Sequence, residues 1–239
     1  DISLWDTALV ENMSYMFNGA SAFNVDIGQW NTAAVTDMSY MFHGASAFSP
    51  ASLNTNGNVW NTAGVKNMSY MFNGASAFNG NISGWDTALV ENMSYMFAEA
   101  SAFSPASLNT NGNVWNTAGV TDMQYMFYLA SAFNGDISSW DTAGVKNMSS
   151  MFAAASVFNG DISQWDTAGV ENMSSMFAGA SEFDGDISQW VTSAVTNMAE
   201  MFYVATKFDK DISSWDVAAV TNMQYMFSGA SAFDKDISS

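Results

Sequence analysis

Asp1-Ile2-Ser3-Leu4-Trp5-Asp6-Thr7-Ala8-Leu9-Val10-Glu11-Asn12-Met13-Ser14-Tyr15-Met16-Phe17-Asn18-Gly19-Ala20-Ser21-Ala22-Phe23-Asn24-Val25 is one period of the chain, and its recurrence decides the fold. Tryptophan returns at 5, 30, 60, 85, 115, 140, 165, 190 and 215, in steps of 25 residues except for two of 30. All 18 methionines and all 18 phenylalanines keep the same phase: each unit carries M-x-x-M-F and a second phenylalanine six residues on. A period in this range belongs to stacked repeats, in which a unit buries its large side chains only against its neighbours. The 239 residues therefore read as a single solenoid domain, residues 1–239, rather than as one or two globules.

Within the unit, Val10, Met13, Met16, Phe17 and Ala20 have helical spacing, which predicts a turn or two of helix. Position 12 is Asn or Asp in every unit, as suits a helix cap. Glycine at 19, 44, 74, 179 and 229 fits a left-handed stop. Glu99, Leu129, Ala154 and Val204 replace it elsewhere, so that stop reads as optional. The alternation around D-I-S predicts a short strand with isoleucine inward. The expectation is thus an α/β repeat of about nine coils, each with a short parallel strand and a short helix.

Two units carry the same extra string. Ser49 to Val59 and Ser104 to Val114 are identical, and T-N-G-N-V at 55–59 and 110–114 reads as a five-residue insertion with an Asn-Gly turn. Asn54, Asn56, Asn58, Asn109, Asn111 and Asn113 in these strings are candidate partner-binding residues. They break the pattern twice with one sequence.

The formal charge is -18, from 23 acidic residues against five lysines, with no arginine. Such a surface repels phosphate backbones, so nucleic acid is excluded as a partner, and basic partners or cations are favoured. No apolar run is long enough to span a membrane. Cysteine is absent, which leaves no disulfide framework or thiolate metal site. Both ends are cut in mid-pattern, without the polar terminal units that natural arrays use. That suggests an excised piece of a longer protein, or a unit that associates end to end.

Several rows of residues could carry chemistry. The Met-x-x-Met pairs could hold a soft metal, but their spacing with phenylalanine reads as core. Asp136 with Ser138, Asp161 with Ser163, Asp186 with Ser188, and Asp211 with Ser213 should form parallel outward rows, a candidate partner surface. Calcium at Asp136, Asp161, Asp186 and Asp211 is the one metal such a ladder could take, and no other cofactor is implied. Thr7 and its equivalents through Thr192 form a rank that would either order water, as in an ice-binding solenoid, or close its hydroxyls onto adjacent turns. His43 is the only histidine. With no partner residues set apart for it, the chain reads as non-enzymatic.

The string W-D-T-A-x-V-x-N-M-S-x-M-F-x-x-A-S-x-F-N-x-D-I-S-x-W closely resembles the repeat of BspA-like leucine-rich-repeat surface proteins of bacteria, over the whole chain. The resemblance implies a right-handed, leucine-rich-repeat-like solenoid, found outside the cell or on the bacterial surface, acting in adhesion or binding to a protein or extracellular-matrix ligand. It carries over no catalytic residue. The competing expectation is a self-assembling unit of an extracellular filament or layer.

Overall fold

Consecutive coils are joined by backbone amides that leave their own coil. In a computed structural model, which describes residues 2–49, 53, 60–104 and 115–237, the amides of Met13, Tyr15, Phe17 and Gly19 donate to the carbonyls of Asp37, Ser39, Met41 and His43. The same four bonds recur at each junction up to Met198, Glu200, Phe202 and Val204, with distances of 2.7–3.3 Å. The amides between them turn back within the coil, Met16 to Met13, Asn18 to Tyr15 and Ala20 to Phe17. Each amide is satisfied, as buried backbone requires, but alternate amides point in different directions.

This alternation corrects the expected α/β coil. The helix predicted from Val10 to Ala20 does not form, because a helix needs one uniform direction of donation. Among the described residues the only helical element is the 3-10 turn Ile2–Leu4. No D-I-S strand forms either. Among the described residues pairing takes the form of isolated parallel bridges, with one row running Asn12–Asp37–Asn67–Asn92–Asp122–Asn147–Asn172–Asn197–Asn222 and further single bridge residues at Asn81 and Asp136. The leucine-rich-repeat-like architecture, with strand and helix in every coil, is therefore replaced by a stack of turns.

The price of the alternation is left-handed backbone at two positions per coil. Position 15 has φ of 54–60° in the tyrosine, serine and glutamate coils alike. Position 19 is left-handed wherever glycine is present, and Glu99, Leu129, Ala154 and Val204 share that conformation at φ 56–60°. The glycine is thus neither a helix stop nor optional in shape; the non-glycine coils adopt the same geometry under strain.

Short Asx turns hold the corners of most described coils, three of them in the first. In the first coil Asp6 Oδ1 accepts from the Ala8 amide and Asn12 Oδ1 from the Ser14 amide, and Asp26 Oδ1 from the Gly28 amide. The cap predicted at position 12 exists, but it caps a turn.

Inside, the side chains fall into rows. Phe17, Phe42, Phe72 and their successors stack at 5.5–5.8 Å between centroids. Each also lies against the second phenylalanine of its own coil, at 3.9 Å for Phe42 and Phe48. Except in the end coils, where Met16, Met223 and Ile237 are exposed, the methionine pairs are buried in the same core and the isoleucines of D-I-S point inward as expected. The tryptophan rings stack almost parallel at 6.1–6.5 Å. Among the described residues no stacked pair joins Trp30 to Trp60 or Trp85 to Trp115, the steps that span the inserted strings.

Most indole N–H groups donate to the isoleucine carbonyl of the preceding coil, as Trp165 does to Ile137 and Trp190 to Ile162. Trp85 and Trp140 are buried without an acceptor. By register their acceptors would come from the coils of Leu53 and Leu108, the two that carry insertions. An unpaired buried donor costs about 1–3 kcal/mol. Trp165→Phe should accordingly destabilise the fold by about 1–3 kcal/mol more than Trp85→Phe, as read by chemical denaturation. The left-handed positions give a second expectation. A Cβ on Gly74 would meet only Gly44 backbone at 3.5 Å, so Gly74→Val should lose about 1–2 kcal/mol through conformation alone. Val204→Gly should gain about 1 kcal/mol.

Candidate functional site

The aspartates and serines expected to form outward strand rows are present at the surface, but they look to themselves. Asp136 Oδ1 accepts from both the amide and the hydroxyl of Ser138, at 3.1 and 2.7 Å. Asp161 and Asp186 accept in the same way from the amides of Ser163 and Ser188, and Asp211 from that of Ser213. These bonds hold the Asp161, Asp186 and Asp211 carboxyls below the usual carboxylate range. Among the described residues no group of three or more acidic or histidine side chains converges as a metal site does. Asn54, Asn56, Asn58, Asn109, Asn111 and Asn113 lie outside the described residues.

The threonine rank turns inward. Thr7 Oγ1 donates to the Asn31 carbonyl at 2.9 Å, and Thr32, Thr62, Thr87, Thr117, Thr142, Thr167 and Thr192 repeat the bond to the next coil. All eight are buried. Hydroxyls committed in this way cannot order external water, so the ice-binding alternative falls. His43 Nδ1 lies 2.8 Å from Asn18 Oδ1, and its ring stands edge-on to Tyr40.

What the sequence reading missed is a row at position 15. Tyr15, Tyr40, Tyr70, Tyr95 and Tyr125 stack face to face at 4.3–4.5 Å with rings within 8° of parallel. These rings are partly or largely open to solvent, unlike the phenylalanine rows behind them. Their signal was present as a tyrosine between the two methionines of the first five coils. The left-handed backbone of each residue holds its ring against the next. The row then stops. Ser150 and Ser175 occupy the next two rungs, followed by Glu200, and the missing rings leave an open groove of about 460 Å³. Tyr125 and Tyr128 wall one end, Glu200 and Tyr203 the other, above a floor of serine, alanine and glycine. Tyr128 stands edge-on to Tyr125 at 5.5 Å.

Against this geometry, the family model described as "Mycoplasma protein of unknown function, DUF285" matches residues 1–56, 48–106, 101–194 and 161–239. The chain belongs to this family. No curated protein matches it. An internalin from Listeria monocytogenes aligns with 82% of this DUF285 chain at 9% identity and a TM-score of 0.21, and the alignment spans 59% of that internalin. The DUF285 chain is thus a repeat protein, and among its described residues no helix is long and apolar enough to cross a membrane.

Burial in the middle of the tyrosine row raises the phenol pKa of Tyr40, Tyr70 and Tyr95. Burial, and then the neighbouring phenols of Tyr70 and Tyr15, push Tyr40 up from 10.0 to about 12. Burial raises Tyr70 and Tyr95 in the same direction. A raised phenol favours the neutral folded form, so its contribution is complete below pH 10 and is lost as pH climbs through about 12. Ultraviolet titration of the tyrosinate band should show Tyr40 ionising only toward pH 12 and Tyr70 and Tyr95 ionising above the ordinary 10.0, together with loss of folded structure. Titration of all eight tyrosines near 10.0 would show that the row is not stacked.

Proposed function

We propose that the chain is a non-enzymatic binding scaffold, secreted or displayed on a bacterial surface in the manner of the BspA-like proteins whose repeat it resembles, that engages a protein or extracellular-matrix partner. The observation that carries this reading is the solvent-facing tyrosine row. Tyrosine rings offer large contact area with few rotatable bonds, and here the stack has already immobilised them. Binding through rings fixed in place avoids the ordering cost that flexible side chains incur. The rest of the chain supports the reading. Methionine, phenylalanine and tryptophan are consumed by the core, threonine by bonds between coils, and the lone histidine by Asn18 and Tyr40.

The test uses serine, which the chain itself carries at position 15. Tyr40→Ser, Tyr70→Ser and Tyr95→Ser together should weaken capture of the chain on immobilised basement-membrane extract at least about tenfold. The thermal midpoint should shift by only a few degrees, since Ser150 and Ser175 are accommodated at the same position. Unchanged capture by the triple variant would remove the tyrosine row from the function. Long threads of the isolated chain in electron microscopy, without capture, would favour a self-assembling unit instead.

A further inference from the structure

We infer that the break in the tyrosine row at Ser150 and Ser175 is a binding slot for an arginine side chain of a partner protein; the inference rests on the scaffold reading and names the partner chemistry for one place on it. The slot exists because two rungs of a closely stacked ladder lack their rings, although the backbone there keeps the same left-handed geometry, with φ 54° at both serines. The face of Tyr125 that would otherwise carry the next ring is left uncovered by aromatic neighbours. The groove opens to solvent toward Ser175 and Glu200, with Ser150 buried at its inner end beside Tyr125.

Three features select the occupant. A rung of this ladder accepts a flat group lying parallel to Tyr125, at the spacing of 4.3–4.5 Å that the intact rows show. At the far end stands the only carboxylate of the slot, Glu200, in a position that is tyrosine or serine in every other coil. Its Oε2 lies 3.5 Å from the Ser175 hydroxyl, so the carboxylate leans back over the gap. No lysine lines the groove to neutralise it. A flat cation that stacks on an aromatic face with a carboxylate further along the same groove is a guanidinium. A lysine ammonium has the charge but not the plane.

The charge of -18 attracts a basic segment in general, and the absence of arginine means that this chain does not supply the occupant from a second copy. No arginine within these 239 residues can fill it, and the proposed occupant is a partner protein that presents arginine on an accessible loop or tail. The small residues of the floor leave room for the alkyl stem.

Two fluorescein-labelled peptides of equal charge, one with alternating arginine and glycine and one with lysine in place of arginine, test the slot by fluorescence anisotropy. The arginine peptide should bind the chain at least tenfold more tightly than the lysine peptide. Refilling both rungs by Ser150→Tyr with Ser175→Tyr should erase that preference, and Glu200→Gln should weaken the arginine peptide about tenfold. Tyr125→Ser, which places there the residue found in the next two coils, should do the same without disturbing the melting point. Equal binding of the two peptides, no binding of either, an arginine preference that survives refilling, or preferential binding of an uncharged oligosaccharide would each overturn the inference. Capture on basement-membrane extract separates the two readings: if the native chain is captured while it shows no preference between the peptides, the slot falls and the scaffold stands. If the native chain is not captured either, both fall.

Discussion

The structure depends on sending alternate amides out of the coil. Four amides per junction donate to the next coil while those between them close local turns, so each rung is bonded to its neighbour along the same arc where its methionines and phenylalanines are buried. This pattern requires residues 15 and 19 of the period to be left-handed, at a conformational cost of about 1–2 kcal/mol for each non-glycine residue. Cooperation offsets that strain: a rung relaxed to ordinary backbone would lose its bonds to the neighbouring coil and misalign several ring rows at once. The uniform φ of 54–60° at position 15, across tyrosine, serine and glutamate, shows that the stack imposes the conformation rather than the side chain.

The same constraint changes the meaning of the acidic charge. Asp and Asn interchange at the turn positions, as Asp6 with Asn31, Asn12 with Asp37, and Asp26 with Asn81. The reason is that one side-chain oxygen accepting an amide two residues on is all that the turn requires. Asp136 and Ser138 illustrate it, with the carboxylate bound to its own serine. Much of the negative charge is therefore a by-product of corner-making, and a row of such aspartates is weak evidence for a site. Glu200 differs because it makes no such turn.

The period, the inward isoleucines and the core methionines were legible from residue type and spacing alone, and the threonine rank was legible as a row but not in the direction its hydroxyls take. The helix and strand were not. Val10, Met13, Met16, Phe17 and Ala20 would mark a helical face, but the same intervals bring these side chains to one side of a turn whose residues 15 and 19 are left-handed. Nothing about Tyr15 announces a φ of 60°; it is set by a hydrogen bond to a carbonyl 24 residues away. The capping asparagine was visible, but a cap looks the same whether a helix or a tight turn follows. The tyrosine row was present in the letters and was passed over because position 15 varies along the chain. In a stack, a position that varies with no loss of backbone geometry is free of structural duty, and its variation can serve recognition.

A ladder of identical rungs offers contact everywhere and an address nowhere. A partner that met only the five stacked tyrosines could slide by one coil and find the same surface. Specific registration needs a place where the period is kept in the backbone and broken in the side chains. Ser150, Ser175 and Glu200 supply that break beside Tyr125, and the four forward amide bonds of each of their coils are kept. Because the strain at position 15 is present with or without a ring, removing two rings costs the stack only their mutual contact. The chain can therefore carry a recognition feature in its side row while its core remains strictly repetitive.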